Sequence, residues 1–246
     1  MATKVHPKAF RLATIETWDS TWFSKGNFRE FLREDVKIRA FLKHKLREAA
    51  VDKVKIDRTR QLVTVTIFTA KPGVIIGRQG SGVEELKKLL KNTFYRGRRT
   101  TVQVNVQDMG QGSLSAGVVA EQIAMDLEKR MPFRRVMKMA IDRSMKAGAQ
   151  GVRVVVSGRL NGAEISRTER LTHGKVPLQN LRADIQYAQA RANTLMGVIG
   201  VKVWMYRGEI FSGKVPDTIA VSERSASRSS GRDRERGARP TAPGRG

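Results

Sequence analysis

The sequence predicts an α+β chain of two domains followed by a flexible basic tail, and three observations predict it. Residues 28–109 carry apolar patterns in the order helix, strand, strand, glycine-rich loop, helix, strand. Residues 110–211 carry two helical patterns and then four strand-like runs, which suits two helices packed on one face of a four-stranded sheet. From Ser222 the chain turns to Ser, Arg, Gly and Pro, with seven arginines against three acids, too little apolar surface to order itself alone. The expected parts are an extension at 1–27, domains at 28–109 and 110–211, and a tail at 212–246.

Composition narrows the partners. The 246 residues hold 47 Lys and Arg against 23 Asp and Glu, a formal charge of +24 and a pI near 11.1. A chain that basic repels itself unless a polyanion neutralises it, and nucleic acid is the first candidate. An anionic membrane is the second, but no apolar run approaches the ~20 residues of a spanning helix and no signal peptide opens the chain. Cysteine is absent, so disulfides and thiolate metal sites are excluded. His6, His44 and His173 lie far apart and form no ligand-spaced motif. No cofactor and no small-molecule substrate are expected.

The elements follow in order. Residues 1–27 hold Pro7 and the cluster Trp18-Asp19-Ser20-Thr21-Trp22-Phe23. Two readings stand for those aromatics: they stack on bases, or they pin the segment to a core. A helix is predicted over Phe28–Ala50, with Phe31, Val36, Ile38, Phe41, Leu42 and Leu46 near a 3.6-residue period. Strands are predicted at Val51–Asp57 and Gln61–Phe68, with Asp57-Arg58-Thr59-Arg60 turning between them. Lys71-Pro72-Gly73 breaks the pattern. A helix then runs to about Asn92, and a strand follows at Thr101–Gln107.

Gly110-Gln111-Gly112-Ser113 reads as a domain joint. Helices are predicted at Ser115–Met131 and Pro132–Ala147, divided at a proline that suits a first helical turn. Strands are predicted at Gly151–Val156, Ala163–Arg170, Leu181–Ala190 and Val198–Tyr206.

The chemistry concentrates in Val74-Ile75-Ile76-Gly77-Arg78-Gln79-Gly80-Ser81-Gly82-Val83. Gly77 and Gly80 bracket two polar residues, one of them basic, just before a helix. Glycines there permit positive φ and close backbone approach, and the helix start offers N–H groups to a phosphate. A nucleotide phosphate loop would need Gly-x-x-x-x-Gly-Lys-Ser/Thr, which the chain lacks. A dinucleotide fingerprint would need a third glycine and a downstream acid, also missing. The plain alternative is an ordinary strand-to-helix turn. The loop resembles the GxxG signature of a KH domain, and the order of elements resembles the second, prokaryotic-type KH topology. That resemblance implies an RNA contact at Gly77, Arg78, Gln79 and Gly80.

Longer stretches carry a wider resemblance. Val5-His6-Pro7 with Arg11-Leu12, Ala70-Lys71-Pro72-Gly73, Phe133-Arg134-Arg135 with Lys138, and the runs Val156–Ile165, Leu181–Ile185 and Gly197–Trp204 are similar to the bacterial ribosomal protein S three family over nearly all of residues 1–211. The wording departs from the family's at Met109–Ser115 and Gln186–Leu195. The resemblance implies a structural, cytoplasmic protein of the small-subunit head that binds 16S rRNA and mRNA. It implies neighbours S ten, S fourteen and S two in the head, and S four and S five at the opening where mRNA enters.

By the same resemblance, Arg134, Arg135 and Lys138 hold and help unwind incoming mRNA, and Lys4, His6, Arg11, Trp22, Arg159 and Arg167 are candidates for rRNA contact. The residues agree in part, since Arg134 and Lys138 stand four apart on one helical face with Arg135 beside it. The plainer reading is that these three cations bind rRNA or an acidic neighbour.

Two other classes remain to be weighed. A free KH regulator or maturation factor would leave the small subunit in moderate salt. An enzyme of the metal nuclease type would need clustered carboxylates, but Asp126, Glu128, Glu84 and Glu85 read as helix surface. A lyase would need one lysine of depressed pKa, which borohydride trapping would expose.

Overall fold

The computed structural model describes residues 5–97 and 99–211. Its element order matches the predicted α+β arrangement, with additions that the apolar pattern did not mark.

In the first half, helix α2 (Phe28–Lys45) and helix α4 (Ser81–Phe94) cover one face of a four-stranded sheet. Its strands are β1 (Ser20–Thr21), β2 (Val51–Arg58), β3 (Leu62–Thr69) and β4 (Thr101–Asp108), in that order. β1 runs parallel to β2, β2 antiparallel to β3, and β3 parallel to β4. Strand residues alternate as a one-sided sheet requires: Val54 and Ile56, Val63, Val65 and Ile67, and Val102 and Val104 enter the core with Ile38, Leu42, Leu86 and Leu90.

Two elements here differ from the sequence reading. Helix α3 (Pro72–Ile76) forms where the pattern only broke, with Pro72 in its first turn. Strand β1 comes from the expected extension and adds an edge to the sheet.

What holds β1 in place is a buried charge. Asp35 is fully buried on α2, while Val36, which the apolar period had selected, stands 57% exposed. Asp35 accepts hydrogen bonds from Ser20 Oγ and Trp22 Nε1, both at 2.8 Å, and from Arg58 Nε at 2.9 Å. Arg58 also donates to Glu34 at 2.7 Å, and its guanidinium lies 5.1 Å from the Phe31 ring centroid. Burial works against the cation, but its bonds to Glu34 and Asp35 outweigh that and raise its pKa.

In the second half, helices α5 (Ala116–Glu128) and α6 (Phe133–Lys146) lie on one face of an antiparallel sheet. Its strands are β5 (Gly151–Gly158), β6 (Arg167–Gly174), β7 (Ala183–Thr194) and β8 (Gly197–Glu209), in the order β6-β5-β8-β7. Strand β6 starts four residues later than the predicted Ala163, because Leu160–Gly162 coil into a short turn with Asn161 at φ 55°. Ser115 caps α5 with its side chain, and Pro132 occupies the cap of α6 rather than its first turn.

Helix α5 is apolar on more than one side, and it touches both halves. Ala120, Ile123 and Leu127 enter the second core. At Gly117 a Cβ would meet Asp52 Oδ1 of β2 at 2.6 Å and the Asp52 backbone at 3.2 Å, so a side chain there would displace the Asp52 carboxylate and press α5 off β2. Ser115 Oγ also donates to Asp52, which ties the predicted joint onto the first sheet.

A second tie runs from Arg47 to Glu128 at 2.6 Å, and Glu128 accepts from the Asn193 backbone N–H at 3.0 Å. Burial pushes the Glu128 pKa up, and those two donors pull it below the ordinary carboxylate value. A carboxylate with a lowered folded pKa stabilises the fold above its unfolded pKa and loses that contribution as pH falls. Glu128→Gln is expected to lower stability by about 0.5–1 kcal/mol at pH 7, after discounting for the exposed Arg47. The difference from the parent should shrink as urea midpoints are followed into acid.

Candidate nucleic-acid interface

The GxxG loop stands clear of the first domain between α3 and α4. Gly77 has φ 68° and ψ −170°, and Gly80, the N-cap of α4, has φ 82°. Between them Gln79 is left-handed at φ 52°, a conformation that costs a residue with Cβ roughly 1–2 kcal/mol. Arg78 and Gln79 are exposed. Gly80 has no side chain to cap α4; the Ser81 N–H donates to Arg78 O, and no side-chain cap bond from the N-cap position competes with an anion for the rest of the first turn.

The third glycine of the run has a different task. A Cβ on Gly82 would meet Ile75 O at 2.4 Å and Ile76 O at 3.1 Å, so Gly82 lets α4 cross the end of α3. The sequence signal was there in Gly80-Ser81-Gly82, but only the packing says which glycine bends and which makes room. Lys87, Lys88 and Lys91 on α4 are exposed as well and widen the basic surface beyond the loop.

A loop that meets phosphate should be sensitive to charge without being sensitive to fold. Arg78→Asp with Gln79→Asp is expected to weaken single-stranded RNA binding at the loop at least about tenfold, while stability stays within about 0.5 kcal/mol. Aspartate tolerates the left-handed position. The chain has no cysteine, so Glu84→Cys carries a single fluorophore that reports binding beside the loop.

The second candidate surface lies on α6. Phe133, Val136, Met137 and Ile141 are buried against the sheet, and Arg134, Arg135 and Lys138 stand on the exposed side. The exposed side continues to Lys146, interrupted by Asp142. Tertiary structure adds Arg167, which opens β6. Arg134 and Arg167 each approach Glu169 Oε1 at 3.8 Å, and each guanidinium lies 5.7 Å from the Phe133 ring centroid. One carboxylate and one ring thus hold two cations side by side. Sequence reasoning named both cations but not Glu169, whose position depends on the register of β6.

The remaining candidates among the described residues lie elsewhere and are engaged within the fold. Arg11 is 1% exposed and donates to Pro7 O at 3.0 Å, Leu178 O at 3.1 Å and Asn180 O at 2.9 Å. His6 caps the short helix α1 (Pro7–Phe10) through Nδ1 and packs edge-on against Tyr187 at 4.8 Å. Trp22 donates to Asp35 and packs against Phe28 and Phe31 at 5.3 and 5.5 Å, while Phe23 is 84% exposed. Arg159 donates to Ala163 O at 2.9 Å and braces the turn before β6. Lys4 and the tail from residue 212 lie outside the described residues. Among the described residues no cluster of His, Asp and Glu is placed to hold a metal ion, and no helix is long and apolar enough to cross a membrane.

Comparison with known proteins adds the family. A KH-domain model matches residues 37–113, and the model of the C-terminal domain of ribosomal protein S3 matches residues 123–205. Over 223 residues the chain is 50% identical to small ribosomal subunit protein uS3 of Pelotomaculum thermopropionicum, covering 90% of this chain and 95% of that one. It is 49% identical over 210 residues to uS3 of Syntrophomonas wolfei, covering 85% and 91% of the two chains. It belongs to the uS3 family. The two halves of this uS3-family chain are therefore the KH domain and the family's C-terminal domain, and membership places it among small-subunit ribosomal proteins rather than among enzymes. The predicted family and the predicted two-domain fold agree with this. The basic ridge on α6 lies within the C-terminal match, and the GxxG loop within the KH match.

Proposed function

We propose that this chain works in the cytoplasm in the head of the small ribosomal subunit, binds 16S rRNA, and lines the opening where mRNA enters, holding and helping to open structured mRNA. The observation that carries this reading is the α6 ridge: Arg134, Arg135 and Lys138 project from a helix whose other side is sealed in the core. A rigid row of cations grips a single strand by its phosphates and is indifferent to its bases. Each exposed contact contributes about 0.5 kcal/mol, so three bias a fraying hairpin toward the open strand by roughly tenfold. No nucleotide hydrolysis is required, because the translocating ribosome supplies the pull. S ten, S fourteen and S two are the expected neighbours within the head, and S four and S five across the opening.

The test replaces Arg134, Arg135 and Lys138 together by alanine. All three side chains are exposed, so folding and assembly into subunits are expected to persist. Translation through a stable mRNA hairpin should slow by roughly the tenfold above, with unstructured messages read at the parent rate. Equal slowing on both messages would overturn the unwinding role and leave rRNA contact as the work of the ridge.

A further inference from the structure

The second sheet has one face under α5 and α6, and over the other the described residues place only the short helix α1, at one end. Registered rows across that open face read Thr172–Arg153–Trp204–Tyr187 and, next to it, Arg170–Val155–Lys202–Gln189. Neither row holds a carboxylate. The segment at His6–Phe10, anchored by Arg11 to the Leu178 and Asn180 carbonyls, stands over these rows and walls one side of an open cavity of about 660 Å3. That volume suits a small ligand or a single residue of a polymer.

The lining is aromatic and cationic at once. The Trp204 ring lies 5.0 Å from Tyr187, centroid to centroid, and the Arg153 guanidinium carbon lies 5.0 Å from the Trp204 centroid. The His6 ring meets Tyr187 from the lid side, and Phe10 remains 43% exposed. Arg153 Nε is shut off from solvent with no hydrogen-bond partner. Burial and then the neighbouring Arg170 both disfavour its charge. A cation held this way is stabilised by an anion brought to it. Gln189 donates to the Tyr187 hydroxyl and His6 Nδ1 caps α1, so His6 Nε2 and the Gln189 carbonyl are the polar atoms left to meet a base edge.

We propose that this cavity is a further RNA site, holding one unstacked nucleotide with its base against Trp204 and Tyr187 and its phosphate at Arg153 and Lys202. Stacking on aromatic rings with flanking cations is how single-stranded RNA is held. An acidic peptide would satisfy the charge, but it would have no flat ring for the aromatic wall unless it also carried an aromatic residue. The site rests on the reading of the chain as an RNA-binding protein, and it lies apart from both the GxxG loop and the α6 ridge.

The test uses the full chain labelled with 5-fluorotryptophan. Its three 19F lines come from Trp18, Trp22 and Trp204, and Trp204→Phe identifies the third. The probes are a single-stranded RNA hexamer, a ribose-phosphate hexamer without bases, and an acidic peptide containing phenylalanine. Binding to the whole chain is followed in parallel by anisotropy. The hexamer should move the Trp204 line saturably and the abasic strand should leave it in place. Lys202→Glu, an exposed change, should weaken that response roughly tenfold.

If the hexamer binds the chain and the Trp204 line stays still, the cavity is no nucleotide site and the RNA-binding reading survives. An equal response to the abasic strand would remove the base from the proposal and so overturn it. Movement with the peptide alone would assign the cavity to a protein partner. No binding by anisotropy at low salt would sink both readings together.

Discussion

An Asp35→Ala chain is expected to lose about 3–5 kcal/mol of stability, the scale for breaking a buried ion pair from one side. Asp35 is fully buried and takes hydrogen bonds from Ser20, Trp22 and Arg58. Without it, the buried Arg58 guanidinium keeps Glu34 as its remaining carboxylate partner in the network. Ser20 and Trp22 lose their anchor at the same time. Strand β1 should therefore fray, and the Ile56 amide, which donates to Asp19 O at 2.9 Å, should exchange faster. Urea unfolding read by tryptophan fluorescence checks the first claim, and hydrogen exchange at Ile56 checks the second. An apolar pair, Asp35→Leu with Arg58→Met, should recover part of the loss, because it removes both members of the buried pair, although Glu34 then gives up its bond to Arg58. A midpoint shift worth less than about 1 kcal/mol for Asp35→Ala would show that the network is not what holds β1.

Gly82→Ala should cost less than Asp35→Ala but should reach function directly. The added methyl meets the backbone carbonyl of Ile75 at 2.4 Å, and a backbone atom cannot turn aside as a side-chain tip can. Helix α3 must shift off α4, which costs about 1–3 kcal/mol as overpacking and moves Gly77 relative to Gly80. RNA binding at the loop should fall together with stability. The Arg78 and Gln79 aspartates should lower RNA binding alone. Seeing both behaviours would separate a loop that must be shaped from a loop that must be charged. If Gly82→Ala left RNA binding intact, the α3–α4 crossing would not set the loop geometry.

Much of this is legible in the amino-acid sequence. Two-residue alternation at Val63, Val65 and Ile67, and helical spacing at Val136, Met137 and Ile141, placed strands and helices within a few residues of where they stand. The glycine pair at Gly77 and Gly80 marked the loop, because positive φ is a property of the residue type itself. What failed did so for local reasons. Asp35 looked like a polar gap in an apolar period, so the pattern moved to Val36, which faces solvent. Strand β6 alternates weakly on an exposed edge, with residues such as Arg167, Thr168 and Arg170 offering little apolar signal to fix its start.

The amino-acid sequence alone determined the charge, the two-domain α+β order, the family resemblance, the GxxG loop and the cationic helix. These are properties of composition and short-range spacing. Tertiary structure decided which charges are spent inside the fold and which remain outside. Arg11 and Arg58 donate inward to partners distant in the chain, whereas Arg134 and Arg167 converge at Glu169 on the surface. An arginine reads the same in sequence in either case. Only the long-range pairing of strands and helices settles whether its partner is a carbonyl, a carboxylate or solvent.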